Sequence, residues 1–133
     1  MRPARRFSAD LFLKNLFDEA TSETGTWSST TIHYLMTNQN RFTESDLNYI
    51  VDQGFHLVID PDSSMRTKFK IAQLFSQLYH MHFPQFNNKF IQYIDQIKDY
   101  ICIPQSSYLW QPMANLMSAI IVSMPLNSLN TQH

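Results

Sequence analysis

The sequence predicts an all-α fold, about six helices packed as antiparallel hairpins in either a stack or a compact bundle. Three observations carry that prediction. Apolar residues recur at helical spacing along nearly the whole chain, proline or polar breaks separate the runs, and only two glycines, Gly25 and Gly54, occur in 133 residues. So few glycines leave no material for a set of primed hairpin turns or a glycine-rich phosphate cradle, which removes most nucleotide-binding readings. The length fits one domain that buries about two-thirds of its unfolded surface. Residues 1–7 read as a basic tail, 8–125 as the helical domain, and 126–133 as a polar tail.

Ser8 is placed to cap a first helix carrying Leu11, Phe12, Leu16 and Phe17, which ends in the stretch 21–25. Ser28 or Ser29 opens a second, shorter helix with Ile32, Leu35 and Met36 on one face. Thr43 followed by Asp46 approximates a capping box, with Phe42 as its hydrophobic staple, ahead of Leu47, Ile50, Val51, Val58 and Ile59. The segment 60–64 breaks the pattern, with Asp62 as the expected cap of a fourth helix. That helix bears Met65, Phe69, Ala72, Phe75, Leu78 and Tyr79 and runs to about Phe83. Pro84 stops it, and because proline suits a first helical turn it also opens a fifth helix with Phe86, Phe90, Ile94, Ile97 and Ile101. A tight antiparallel pair follows. After Pro104 a sixth helix carries Leu109, Met113, Leu116, Met117, Ile120, Ile121 and Met124, with Pro112 near its start.

Charged residues make up 16% of the chain, against about 25% in an ordinary domain. The net charge of −1 gives no global footprint for nucleic acid or an anionic membrane. The one basic cluster, Arg2, Arg5 and Arg6, can touch phosphate, but about three charges give weak, salt-sensitive binding. Arg5-Arg6-Phe7-Ser8 also suits a basophilic kinase, and phosphate at Ser8 would favour the first helix N-terminus. The arginine-rich start is similar to a transit peptide, yet Asp10, Asp18 and Glu19 follow too soon. No apolar run reaches a membrane span, so the expected location is cytoplasmic or nuclear. Cys102, the sole cysteine, excludes an internal disulfide and, between Ile101 and Ile103, reads as a buried, inert thiol.

Catalytic and metal constellations are thin, and the sequence reads as non-enzymatic, with no cofactor and no metal. His80 and His82 are two apart, so on a helix they point about 200° from one another and cannot share an ion. Asp60 and Asp62 are not followed by the oxygen-rich spacing of a calcium loop. No serine lies in a Gly-x-Ser-x-Gly turn.

Residues 65–94 contain a basic start, an Ala72-Gln73-Leu74-Phe75 core, a Phe83-Pro84 break, and then Phe86 and Phe90. This pattern resembles an early helical hairpin of the importin-β family, especially its exportin branch. Arg41 to Leu47 resembles the start of the preceding hairpin, so the resemblance covers roughly 28–101. It implies a HEAT-like stack, a role in nuclear transport with a protein partner, and a concave binding face on which Asn87, Asn88, Lys89 and Gln92 are the candidates. A complete receptor wraps cargo and the small GTPase Ran with many hairpins, whereas this chain offers three pairs at most. The same letters also have a purely physical account: a small alanine for close approach, aromatics for a core and a proline corner. Two other classes stay open, a scaffold in RNA metabolism or translation similar to the middle domain of the large initiation scaffold, and a viral or structural self-assembly module forming homo-oligomers.

Overall fold

A computed structural model describes residues 9–22 and 26–124. The basic tail with Arg2, Arg5 and Arg6, the Ser8 cap, Pro125 and the polar tail lie outside the described residues. Among those described there are seven α-helices and no strand: α1 (Ala9–Ala20), α2 (Ser29–Thr37), α3 (Glu44–Ile59), α4 (Met65–His80), α5 (Pro84–Ile91), α6 (Ile94–Ile101) and α7 (Trp110–Ser123). A single 3₁₀ turn, Gln39–Arg41, links α2 to α3.

Local chemistry sets most of the starts. The Ser28 hydroxyl accepts from Thr31 N–H at the head of α2. At α3 the capping box is complete: Thr43 Oγ1 accepts from Asp46 N–H, and Asp46 Oδ2 accepts from Thr43 N–H. Phe42, just outside that cap, is buried and packs its ring against Phe12 and Phe83. The cap of α4 is Ser64 rather than Asp62. Asp60 takes over the loop instead, its carboxylate accepting from Asp62 N–H and its carbonyl from Ser63 N–H. Pro84 opens α5 as its first residue.

Several boundaries and faces differ from the sequence expectation. The fourth helix stops at His80, because His82 turns into the left-handed region at φ 63°, so Phe83 belongs to the corner. The expected fifth helix is two, broken at Gln92 and Tyr93, where each amide bonds a carbonyl three residues back. Tyr93 is held there by the tertiary structure: its ring stacks on Phe55 at 4.1 Å and its hydroxyl donates to Asp52. On α1, Leu13 is buried and Leu11 faces out. Met36 and Ile59 are also exposed, and so is Cys102, which sits at the end of α6 past the last buried turn.

The pairing directions give the architecture. Helices α3 and α4 are antiparallel, Gly54 facing Phe75 and Val58 facing Lys68. The remaining long pairs are parallel. Helix α5 runs with α3, from Phe83 beside Phe42 to Tyr93 beside Phe55. Helix α7 runs with α4, from Trp110 and Tyr100 beside Lys68 to the Ser123 carbonyl, which accepts from Tyr79 Oη. Thus α3–α4 and α5/α6–α7 are successive hairpins lying side by side, first helix on first and second on second, with α5 resting chiefly on α3 rather than α4. Helix α1 also runs parallel to α3, Phe12 at Phe42 and Phe17 at Tyr49. Phe75, Phe86 and Phe90 form a mutually packed aromatic centre, each fully buried. This centre matches three aromatics placed in the core from the sequence.

Candidate functional site

The four residues of the expected binding face differ in exposure and in what they touch. Asn88 and Gln92 are exposed, while the side-chain oxygen of Asn87 is buried without a hydrogen-bond partner. Lys89 is turned inward, 3.4 Å from Asp52 Oδ1 and 5.9 Å from the centre of the Tyr93 ring. The Asp52 carboxylate therefore collects an ammonium and a phenol, binding α5 to α3. That hydrogen bond, with burial and the Asp52 charge, pushes the Tyr93 phenol up to about 12. A phenol held protonated in this way is a strut, not a base. Moreover, α5 is the first helix of its hairpin and lies in the layer of α3.

Two lysines in the basic start of α4 are buried, and both hold helix ends. Lys68 Nζ donates to Val58 O at 2.7 Å and Asp60 O at 2.6 Å, satisfying carbonyls left open at the end of α3, with the Tyr100 ring 5.4 Å away. Lys70 is 0% exposed, its Nζ donating to Glu19 O at the end of α1 and to Ser22 Oγ at 3.3 Å, beneath the Trp27 ring. Burial pushes the Lys70 ammonium below the ordinary lysine value; the Glu19 charge opposes that shift and Arg66 adds to it. The Trp27 indole N–H donates back to Lys70 O at 2.7 Å. Glu19 meanwhile accepts at its carboxylate from Ser28 N–H and the Thr31 hydroxyl, each at 2.6 Å, tying α1 to the head of α2. This cluster fixes the position of α1.

With its C-terminal end anchored on α4, α1 stands off α3 along part of its length and leaves a groove of about 510 Å³. Leu13, Phe17 and Tyr49 provide its apolar surface, the last two in edge-to-face contact at 5.9 Å. Tyr49 keeps 46% of its surface exposed there. Around them stand Asp10, Lys14, Asp18, Ser45 and Asp46. Lys14 and Asp18 form an exposed ion pair at 2.9 Å, one turn apart, and the Asp18 hydrogen bond and charge raise the Lys14 pKa. Asp46 uses one oxygen in the capping box.

Chemically, the groove offers a half-apolar bed and three carboxylates against one ammonium. Among the described residues no three His, Cys, Asp or Glu side chains come together closely enough to hold a metal ion, so these carboxylates ring the groove instead of converging. His80 Nδ1 lies 2.7 Å from the Ser76 carbonyl of its own helix, while His82 lies past the helix end in the left-handed region, so the two do not share one helix, contrary to the sequence expectation. A smaller depression of about 320 Å³ between the 59–65 loop and residues 105–107 has Lys68 at its base, with the ammonium already engaged by carbonyls. The sequence analysis does not single out Tyr49 or Leu13, since nothing within a turn of either marks a groove. The one available signal was the surplus of apolar residues on the first helix, where Leu11, Phe12, Leu13, Leu16 and Phe17 are too many for a single buried stripe. Among the described residues, no helix is long and apolar enough to cross a membrane. Compared with protein-family models, curated proteins and solved structures, the chain matches none.

Proposed function

We propose that this chain is a non-enzymatic protein-interaction module, a short stack of helical hairpins that holds a protein partner along the α1–α3 seam. The observation that carries the reading is the groove itself, a surface with Tyr49 nearly half exposed beside Phe17 and rimmed by polar groups. The side-by-side hairpins, first helix parallel to first and second to second, are the arrangement expected of a HEAT-like stack, which supports the importin-β resemblance. A nuclear transport role is part of this proposal, with an intracellular location following from it. The binding face is moved from α5 to the groove, since Lys89 is committed to Asp52.

Photo-crosslinking tests the reading. A photoreactive residue replaces Tyr49 in one variant and Ser118, exposed on α7, in another, and each is irradiated in an extract of the native source. The expected result is one dominant adduct from position 49 and none from 118. Equal labelling from both positions, or none from 49, overturns it.

A further inference from the structure

The groove also defines the chemistry of what fits it. This step rests on the protein-holding reading above and names the class of partner segment. Asp10 and Asp18 lie eight residues apart on α1, about 12 Å along the axis. Between them α1 contributes Leu13 and Phe17, and Tyr49 stands opposite on α3. Asp46 adds a third carboxylate, so three of the chain's eleven acidic residues meet at one seam of a sparsely charged protein. Lys14 already shows how an ammonium is received there, at 2.9 Å from Asp18.

We propose that the groove binds a cationic amphipathic helix of a protein partner. Two Lys or Arg side chains two turns apart would reach the carboxylates at either end, and apolar side chains at the intervening positions would cover Phe17 and Tyr49, with the buried Leu13 beneath them. Two helical turns span about 11 Å, close to the separation of the outer aspartates. Helix-in-groove docking uses this combination, with apolar contact supplying affinity and the charges fixing register and direction. The same carboxylates repel a phosphate backbone and an anionic lipid surface, so nucleic acid and membrane do not suit this seam.

The probe is a labelled alanine-based peptide of roughly 16 residues, long enough to hold helix, with two lysines seven apart and two leucines midway between them. Its counterpart carries glutamine for both lysines. Anisotropy titrations should show the lysine peptide binding at least about tenfold tighter than the glutamine peptide, with the difference lost between about 50 and 500 mM salt. The double variant Asp10→Asn, Asp18→Asn should weaken the lysine peptide about tenfold while circular dichroism stays unchanged. Lys14→Gln should tighten it a few-fold by removing the resident cation, a gain that a merely structural part for Asp18 would not produce. Equal affinity for both peptides, or no binding of the lysine peptide, overturns the proposal. If the position-49 adduct forms but persists in the double variant, the interaction module stands and the cationic specificity falls. If that adduct never forms, the module reading itself falls.

Discussion

On the α4 side of α3 the two helices meet at close range, Gly54 against Phe75, whereas on the α1 side there is a groove of about 510 Å³. The closed side depends on an absent side chain. A Cβ on Gly54 would lie 2.6 Å from Phe75 Cζ and 3.1 Å from Ile71 Cγ2, and the Phe75 ring has no room to retreat because Phe86 and Phe90 pack against it. The open side depends on where α1 is anchored. Its C-terminal end is fixed by Lys70 and Glu19, while larger residues, Phe17 and Tyr49, hold the two helices apart. Close approach gives stability and nothing to bind; the spaced seam gives a surface at little energetic gain.

The largest effect should come from filling the closed side. Gly54→Leu should lower unfolding free energy by at least about 3 kcal/mol, since overpacking a locked aromatic centre outweighs the gain of roughly 1 kcal/mol from replacing a helical glycine. Urea unfolding measures it; a neutral result would mean that the seam is looser than its geometry. Next, Lys70→Ala should cost about 2–4 kcal/mol, because it removes a buried stem and the charged one of the donors to the Glu19 carbonyl, which Ser22 also serves. Hydrogen exchange should then show α1 loosening before α3 or α4. Retained protection across α1 would remove Lys70 as its anchor.

On the α5 side, Tyr93→Phe should cost about 1–2 kcal/mol near neutral pH, the range for a partly exposed hydrogen bond to a charged group. Its pH dependence has a definite sign. The folded phenol is pushed up to about 12, above the ordinary tyrosine value of about 10, so its stabilisation is complete below that ordinary value and is lost as pH rises through the folded one. The difference between wild type and Tyr93→Phe isolates this from Lys70, whose lowered pKa works in the opposite direction. A difference constant from neutrality to the alkaline limit would show that the Asp52 contact is not formed. The smallest change in stability belongs to the open side: Asp10→Asn with Asp18→Asn should stay within about 0.5 kcal/mol, since both are exposed. Thermal unfolding of this pair sharpens the contrast, binding altered on one flank of α3 and folding on the other.

How much could be read in advance follows the range of each interaction. Thr43 with Asp46 and Pro84 act within one turn of chain, and each does what its neighbours predict. Asp62 was the local exception, since Ser64 sits one residue before the helix and Asp60 already organises the loop. The break at Tyr93 could not be read, because its cause is Asp52, 41 residues away. The basic start of the fourth helix carries no sign of where Lys68 and Lys70 turn until the ends of α3 and α1 arrive to receive them. For the candidate site, the apolar excess of α1 was visible, but which leucine turns inward was not.

By itself the sequence determined the all-α class, most of the helix starts and the aromatic centre of Phe75, Phe86 and Phe90. Capping, proline geometry and apolar periodicity are local and need no partner to act. Only the tertiary structure decided that hairpins lie first on first, that Lys89 turns to Asp52 while Lys70 turns to Glu19, and that α1 leaves a groove beside Tyr49. Those outcomes depend on which helix ends and side-chain volumes meet across the fold, and periodicity along one helix carries no information about the width of the seam beside it.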